Sequence, residues 1–234
     1  MPSVVPPADP AALDLDGIEL ERASTAEQVA ATVRQYLLDG KAAPKTKLSD
    51  QVLAATLGVS RNTVREAFAI LAAEGLLQRN LHKGAVVAEL SFEQLADVYQ
   101  ARRAIELSAL NFAAKAQDDW LADVQAALAE MSAAAAIDDT KALLDADRRF
   151  HEAIIAPIGS QRISDFYRLI QTQIRLTRAW NGARMAPTAF VARHAEIVEA
   201  LVHGDFTRGG GLLEQLIDDG QLRVQEQLRA SHGA

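Results

Sequence analysis

The sequence predicts a small helical domain with a β hairpin at the N-terminus, followed by a larger all-α bundle. Three observations predict it. Residues 25–90 hold three short amphipathic patterns and then a hairpin closed by Gly84. From Ser91 to the end, apolar residues recur almost throughout at helical spacing. Aromatics make up only 5% of a chain rich in alanine, which suits helices packed through small side chains better than a sheet-rich core.

Each element has its own signal. Residues 1–20 are Pro-rich and acidic and read as a loose arm. This leaves a domain over 21–90 and a second over 91–234. Thr25 to Leu38 carries Val29, Val33, Tyr36 and Leu37 at helical spacing, with Gly40 beyond its end. A short basic loop follows. Ser49 caps a second helix bearing Val52, Leu53 and Leu57, stopped by Gly58. Ser60 caps a third, whose apolar face is Val64, Ala67, Phe68 and Leu71, and Gly75 ends it. Leu76–Gln78 and Ala85–Val87 read as strands flanking a tip at residues 79–84. Ser91-Phe92-Glu93-Gln94 forms a capping box. Helices are then expected at about 92–115, 118–135, 140–156, 160–180, 188–203 and 212–230. They are separated by Asp138-Asp139, Pro157-Ile158-Gly159, Asn181-Gly182, Pro187 and the glycine-rich run from Gly204 to Gly211.

Composition excludes several classes. With no Cys there is neither disulfide nor thiolate chemistry. The absence of a long apolar run or a basic-then-apolar leader reads as a cytoplasmic chain with no membrane partner. The net charge of −7 conceals an uneven distribution. Between Gly40 and Leu90, seven Lys or Arg face four acids, so that window is +3 and the remainder −10. A local basic patch is what attracts phosphate, whatever the total.

The third helix sets its polar residues apart from its apolar face. Arg61 and Arg65, four apart, are surface neighbours, and a guanidinium can donate two hydrogen bonds to guanine O6 and N7. Ser60, Asn62 and Thr63, together with Ser49 at the preceding cap, are within reach of phosphates or base edges. His82 and Lys83 on the hairpin tip would touch an adjacent groove. Two surface arginines alone are more often solvated charges; the preceding helix, the Leu57-Gly58-Val59 turn and the basic hairpin favour the DNA reading. The stretch LSDQVLAATLGVSRNTVREAFAILAAEGLL resembles the winged helix-turn-helix of the GntR family of bacterial transcription regulators. It does so through Gly58-Val59-Ser60-Arg61, Val64-Arg65-Glu66-Ala67, Glu74-Gly75-Leu76 and the wing residues Lys83-Gly84-Ala85 and Val87. The resemblance implies a homodimer on a palindromic double-stranded operator, with Arg61 and Arg65 as principal base contacts. Asn62 and Thr63 stand where the family usually has a small residue and Pro.

In the bundle, Asp147 and His151 are four apart and stack on one helix face, and His194 lies in a later helix. A carboxylate and two imidazoles that converge make a facial metal triad; an isolated Asp/His pair is more often a surface pair. Residues 91–230 resemble the all-α FadR C-terminal ligand-binding domain of the FadR-type branch, by Tyr99, Arg102 and Glu106, Asp147 with Phe150-His151, His194 with Ile197, and Gly204-Asp205. The resemblance implies a divalent metal on Asp147, His151 and His194, Arg102 facing the pocket, and a small-molecule effector, a carboxylate. Arg175 and Arg178 either line that pocket or face solvent, and Trp180 is a core or pocket-wall residue. The family's further histidine is Leu216 here. Three ligands can still hold Zn²⁺, Ni²⁺ or Mn²⁺ with open positions left; otherwise the pocket takes an acyl or other organic ligand without metal, or only dimerises. The reading is therefore a ligand-responsive repressor, coupled to DNA through the Glu89-Leu90-Ser91 segment. The alternative of a metalloenzyme lacks a general base beside the triad and any nucleophile or phosphate-loop motif.

Overall fold

The computed structural model describes residues 24–80, 84–114, 120–181 and 186–232. The N-terminal arm, His82 and Lys83 lie outside the described residues, as do the side chains of Trp180 and His232. An N-terminal α/β region of winged helix-turn-helix type is followed by an all-α bundle.

The N-terminal region contains α1 (Thr25–Leu38), β1 (Lys47–Leu48), α2 (Asp50–Leu57), α3 (Arg61–Ala73), β2 (Leu77–Asn80) and β3 (Gly84–Val87). Local chemistry fixes the helix ends. Ser24 and Glu27 form a capping box on α1, Ser49 Oγ accepts from Val52 N, and Ser60 Oγ accepts from Thr63 N. Gly58 ends α2 at φ +67°, a left-handed conformation that gives the tight turn into α3. The apolar faces then meet: Val29, Val33 and Leu37 of α1 pack with Val64, Phe68 and Leu71 of α3 and with Leu76, Ala85 and Val87.

The expected hairpin is a three-stranded antiparallel sheet of order β1-β3-β2. The supposed basic loop before Ser49 thus contains a strand, Lys47 opposite Val86 and Leu48 opposite Ala85. Two residues are too short to show an alternating pattern, so only the pairing partner reveals them. Gly84 is required at the crossing: its φ is +87°, and a Cβ there would lie 2.2 Å from the Leu48 carbonyl oxygen. Gly84→Ala is expected to destabilise the wing by about 1–3 kcal/mol. Hydrogen exchange in β1 and β3 should rise, and unchanged protection there would refute the close approach.

The bundle comprises α4 (Phe92–Ala113), α5 (Trp120–Ala136), α6 (Thr140–Ile155), α7 (Gln161–Asn181), α8 (Pro187–Val202) and α9 (Phe206–His232), with a short 3₁₀ turn at Ala156–Ile158. Its core runs from Leu95 and Tyr99 through Met131, Phe150 and Ile174 to Ile197 and Ile217. Pro187, expected as a break, is the first residue of α8, where its missing N–H costs nothing.

The largest departure from expectation is α9, which begins at Phe206 and runs through Gly209-Gly210-Gly211 rather than after them. Asp205 caps it, its carboxylate accepting from Arg208 N at 2.9 Å. The Gly209 backbone lies so near α8 that a Cβ would be 2.8 Å from Leu201 Cδ2. Helix-helix packing therefore offsets the poor intrinsic propensity of glycine. Among the described residues no helix is long and apolar enough to cross a membrane.

Helix α7 joins the two regions. Ile170 and Ile174 belong to the bundle core, while Leu176, 2% exposed, is part of the N-terminal core. Gln173 Nε2 donates to the Glu74 carbonyl at the end of α3, and the Glu74 side chain receives Arg34 from α1. Burying a leucine side chain stabilises by about 1.5–3 kcal/mol, so Leu176 makes the α7 contact a substantial one.

Candidate metal centre and nucleic-acid interface

Helices α6 and α8 carry Asp147, His151 and His194 on their inward faces, and all three are buried. The potential ligand atoms lie within 4.8 Å of one another. His194 Nε2 is 3.1 Å and His151 Nε2 3.4 Å from Asp147 Oδ1. The rings are held in place: Phe150 meets both imidazoles edge-on, and Phe190 lies against His194 with centroids 4.5 Å apart.

The far nitrogen of each imidazole is also fixed. His194 Nδ1 donates to the Phe190 carbonyl at 2.8 Å, which turns Nε2 towards Asp147. His151 Nδ1 faces Glu106 Oε2 at 2.8 Å. Such outer contacts orient imidazoles and raise their basicity in metal sites. The donor set thus fits a divalent cation.

Electrostatics bear on the same atoms. Burial and Arg102 push His151 towards its neutral form, but the Glu106 and Asp147 carboxylates outweigh them and hold its pKa above the ordinary imidazole value. Arg102 Nη2 lies 2.6 Å from His151 Nε2, and an arginine can only donate, so that contact requires Nε2 to accept. A cation ligated at Nε2 would take the one lone pair that Arg102 now faces, so binding it requires the guanidinium to swing aside. Burial opposes ionisation of Glu106, yet Arg102, then His151, hold its carboxyl down to about 2. Tyr167 donates to Glu106 Oε1 and Gln171 Nε2 to the Tyr167 oxygen, completing a buried network. The charges of Asp147 and Glu106 are matched by Arg102 and Arg178, so a divalent metal would leave the cluster positive and receptive to an anion.

At the other end of the molecule, Arg61 and Arg65 project from α3 and are more than half exposed. Both converge on Asp50, the first residue of α2. Arg65 Nε is 2.6 Å from Asp50 Oδ2 and Arg61 Nη2 is 3.0 Å from Oδ1. The Arg65 bond, despite some desolvation, and then Arg61 keep the Asp50 carboxyl below its ordinary range. A single carboxylate thereby aligns both guanidinium groups in the absence of nucleic acid. Asn62 donates to Glu66 at 2.7 Å, and Ser60 shares a hydrogen bond with Thr63 Oγ1 at 2.8 Å.

The comparisons with known proteins cover both ends. The profile of the bacterial regulatory proteins, gntR family, matches residues 25–87, and that of the FCD domain matches residues 97–219, more than half the chain. The chain belongs to the GntR family, with an FCD effector domain. A solved structure of a transcriptional regulator GntR from Rhodococcus sp. RHA1 is 30% identical, covers 87% of this chain and 98% of its own, and superposes with a TM-score of 0.77. An HTH-type transcriptional regulator in an unstable DNA locus of Streptomyces ambofaciens is 29% identical over 74% of this chain and 73% of its own length. The gluconate operon transcriptional repressor of Bacillus subtilis is 28% identical over 88% of this chain and 76% of its own.

This GntR/FCD protein is a DNA-binding regulator, not the metalloenzyme weighed above. Within the family frame, the structure brings Asp147, His151 and His194 together as the sequence suggested. Leu216 is buried in the bundle core. Arg102, expected at the pocket, is 4% exposed and engaged with Glu106 and His151. Arg178 reaches Asp147 Oδ2 at 3.1 Å and Arg175 reaches Asp145 at 2.6 Å, both at the edge of a cavity. Two residues were not singled out for these roles from sequence: Glu106, which ties Arg102 to His151, and Asp50, which holds both reading arginines. Glu106 pairs with Arg102 four residues away but with His151 at 45, and the partners of Asp50 lie 11 and 15 residues away. The capping-type position of Asp50 gave it a reason to exist without them.

Proposed function

We propose that this GntR/FCD regulator is a homodimeric, ligand-responsive repressor that binds a palindromic operator in the cytoplasm. Its α3 enters the major groove with Arg61 and Arg65 on base edges. Ser49, Ser60, Asn62 and Thr63 support the docking, and His82 and Lys83 reach an adjacent groove. Domain limits at 21–90 and 91–234 belong to the same reading. The sensor holds a divalent metal on Asp147, His151 and His194 and admits a small carboxylate, for which Arg102, Arg175 and Arg178 supply positive charge. A bound metal would act as a Lewis-acidic anchor for that carboxylate. A sugar acid is the class to try first, because a relative is the gluconate operon repressor.

The observation that carries the sensor reading is the convergence of the two Nε2 atoms on Asp147 while both Nδ1 atoms are satisfied elsewhere. Protein purified with Zn²⁺, Ni²⁺ or Mn²⁺ present and then desalted should retain about one equivalent of metal by elemental analysis. His194→Ala should lose it, since three ligands are the minimum for the site. Gluconate should then alter affinity for a promoter fragment only in metal-loaded wild type. Absence of retained metal in wild type would defeat the assignment.

One contact favours a metal-free alternative. Arg102 Nη2 sits 2.6 Å from His151 Nε2, beside a core in which Leu216 replaces the expected ligand, so the guanidinium can serve as the cation of the cluster. Under that reading the effector response persists after chelation.

A further inference from the structure

We propose that Asn62 is a base-reading residue that selects adenine, with Glu66 holding its side-chain amide in the orientation that adenine requires. The proposal rests on the reading of α3 as the helix that enters the major groove, and names a second base recognised there. Asn62 occupies the first turn of α3, where a recognition helix brings its side chains to base edges. It is exposed, as is Arg65 three positions on, and the two are neighbours on the helix surface.

The other polar residues of that turn are engaged. Ser60 Oγ accepts from Thr63 N at 3.0 Å and shares a hydrogen bond with Thr63 Oγ1, so both hydroxyls serve the cap. Arg61 turns its Nη2 to both oxygens of Asp50. Asn62 Nδ2 donates to Glu66 Oε1 at 2.7 Å, one helical turn away. A carboxylate can only accept, so this bond decides which end of the amide faces Glu66. The amide nitrogen carries two N–H groups. One is spent on Glu66, which leaves the second N–H and Oδ1, neither of them bonded among the described residues. Asn62 thus shows one donor beside one acceptor on an exposed edge.

Of the four bases, only adenine presents the complement in the major groove, with N7 as acceptor and the N6 amino group as donor. Guanine presents two acceptors, so its O6 would face Asn62 Oδ1 with no proton between them. Cytosine offers a donor alone, and thymine an acceptor beside a methyl group, each enough for a single bond. Asn62 and Arg65 are separated by about 4.5 Å of helix rise, against about 3.4 Å for each base step. The adenine should therefore lie one or two base pairs from the guanine that Arg65 reads.

The test is selection of duplexes from a randomised pool by the full chain. Affinity is then measured for the selected duplex and for one in which the adenine of a single half-site is replaced by guanine. Wild type should enrich adenine at the stated spacing and prefer the selected duplex about five- to 160-fold, the discrimination of one bidentate pair. In Asn62→Ala the two duplexes should bind within about twofold of each other. The ratio is read on one preparation, so any loss of folded protein cancels from it. Glu66→Ala should separate the duplexes about twofold less well than wild type, the effect of an i,i+4 side-chain hydrogen bond. It should also bind both more tightly, having lost a negative charge near the phosphates. Adenine enriched equally by Asn62→Ala, or not enriched near the guanine by wild type, overturns the assignment. An unchanged ratio in Glu66→Ala overturns the orienting role. Arg65→Ala separates the two levels of failure. If it erases the guanine while Asn62→Ala leaves the adenine, only the Asn62 inference falls; if neither variant alters the selected sequence, the reading of α3 falls as well.

Discussion

An Arg65→Ala protein is expected to bind its operator about thirtyfold to twenty-thousandfold more weakly than wild type. The range follows from a bidentate guanine contact worth about 1–3 kcal/mol, counted once in each half-site of a symmetric operator. The geometry favours Arg65 over a merely solvated charge, because Asp50 grips its Nε at 2.6 Å and leaves the guanidinium aligned beside that of Arg61. Arg65→Lys is the sharper comparison. It keeps the charge, and hence the phosphate attraction and most of the salt dependence, but loses the planar fork. Its discrimination between the operator and unrelated duplex should therefore collapse, with non-specific binding little changed. Gel-shift titration of the fragment upstream of its own gene, at two salt concentrations, reads both quantities. Operator affinity within about threefold of wild type in Arg65→Ala would remove this residue from base recognition.

Glu106→Ala is expected to cost about 3–5 kcal/mol of folding stability, because it leaves Arg102 charged, buried and without its carboxylate. That is a large part of the roughly 5–15 kcal/mol available to a folded domain. Glu106 is wholly buried and also accepts from Tyr167 and His151, so no water can take its place easily. The same group gives an acid limb. Its folded pKa, about 2, lies below its ordinary value of 4.5, so it contributes stability that is complete above 4.5 and lost as pH falls towards 2. Urea unfolding of wild type should show that loss across this window. Glu106→Gln, less stable at neutral pH, should show a flatter profile there. An unfolding midpoint for Glu106→Ala equal to wild type would mean that the Arg102 pair contributes nothing.

Much of this architecture is legible in the order of residues. The bounds of α1, the caps at Ser49, Ser60 and Ser91, and the turn at Gly58 depend on neighbours a few positions away, and local chemistry specifies them. The triad residues Asp147 and His151 were visible for the same reason, being one helical turn apart. What escaped reading depends on distant partners. β1 exists only because β3 lies alongside it, and α9 runs through Gly209 where α8 comes close.

Leu176 has a consequence for how such regulators can be recombined. A leucine from the bundle completes the core beneath the reading helix, and Gln173 beside it secures the end of that helix. An exchange of DNA-reading modules between relatives at the junction before α4 would therefore sever a shared core and leave a leucine-sized hole in the transplanted half. Chimeras that also carry the matching surface of α7 should remain intact. Inheritance of operator preference is thus tied to a helix of the effector domain.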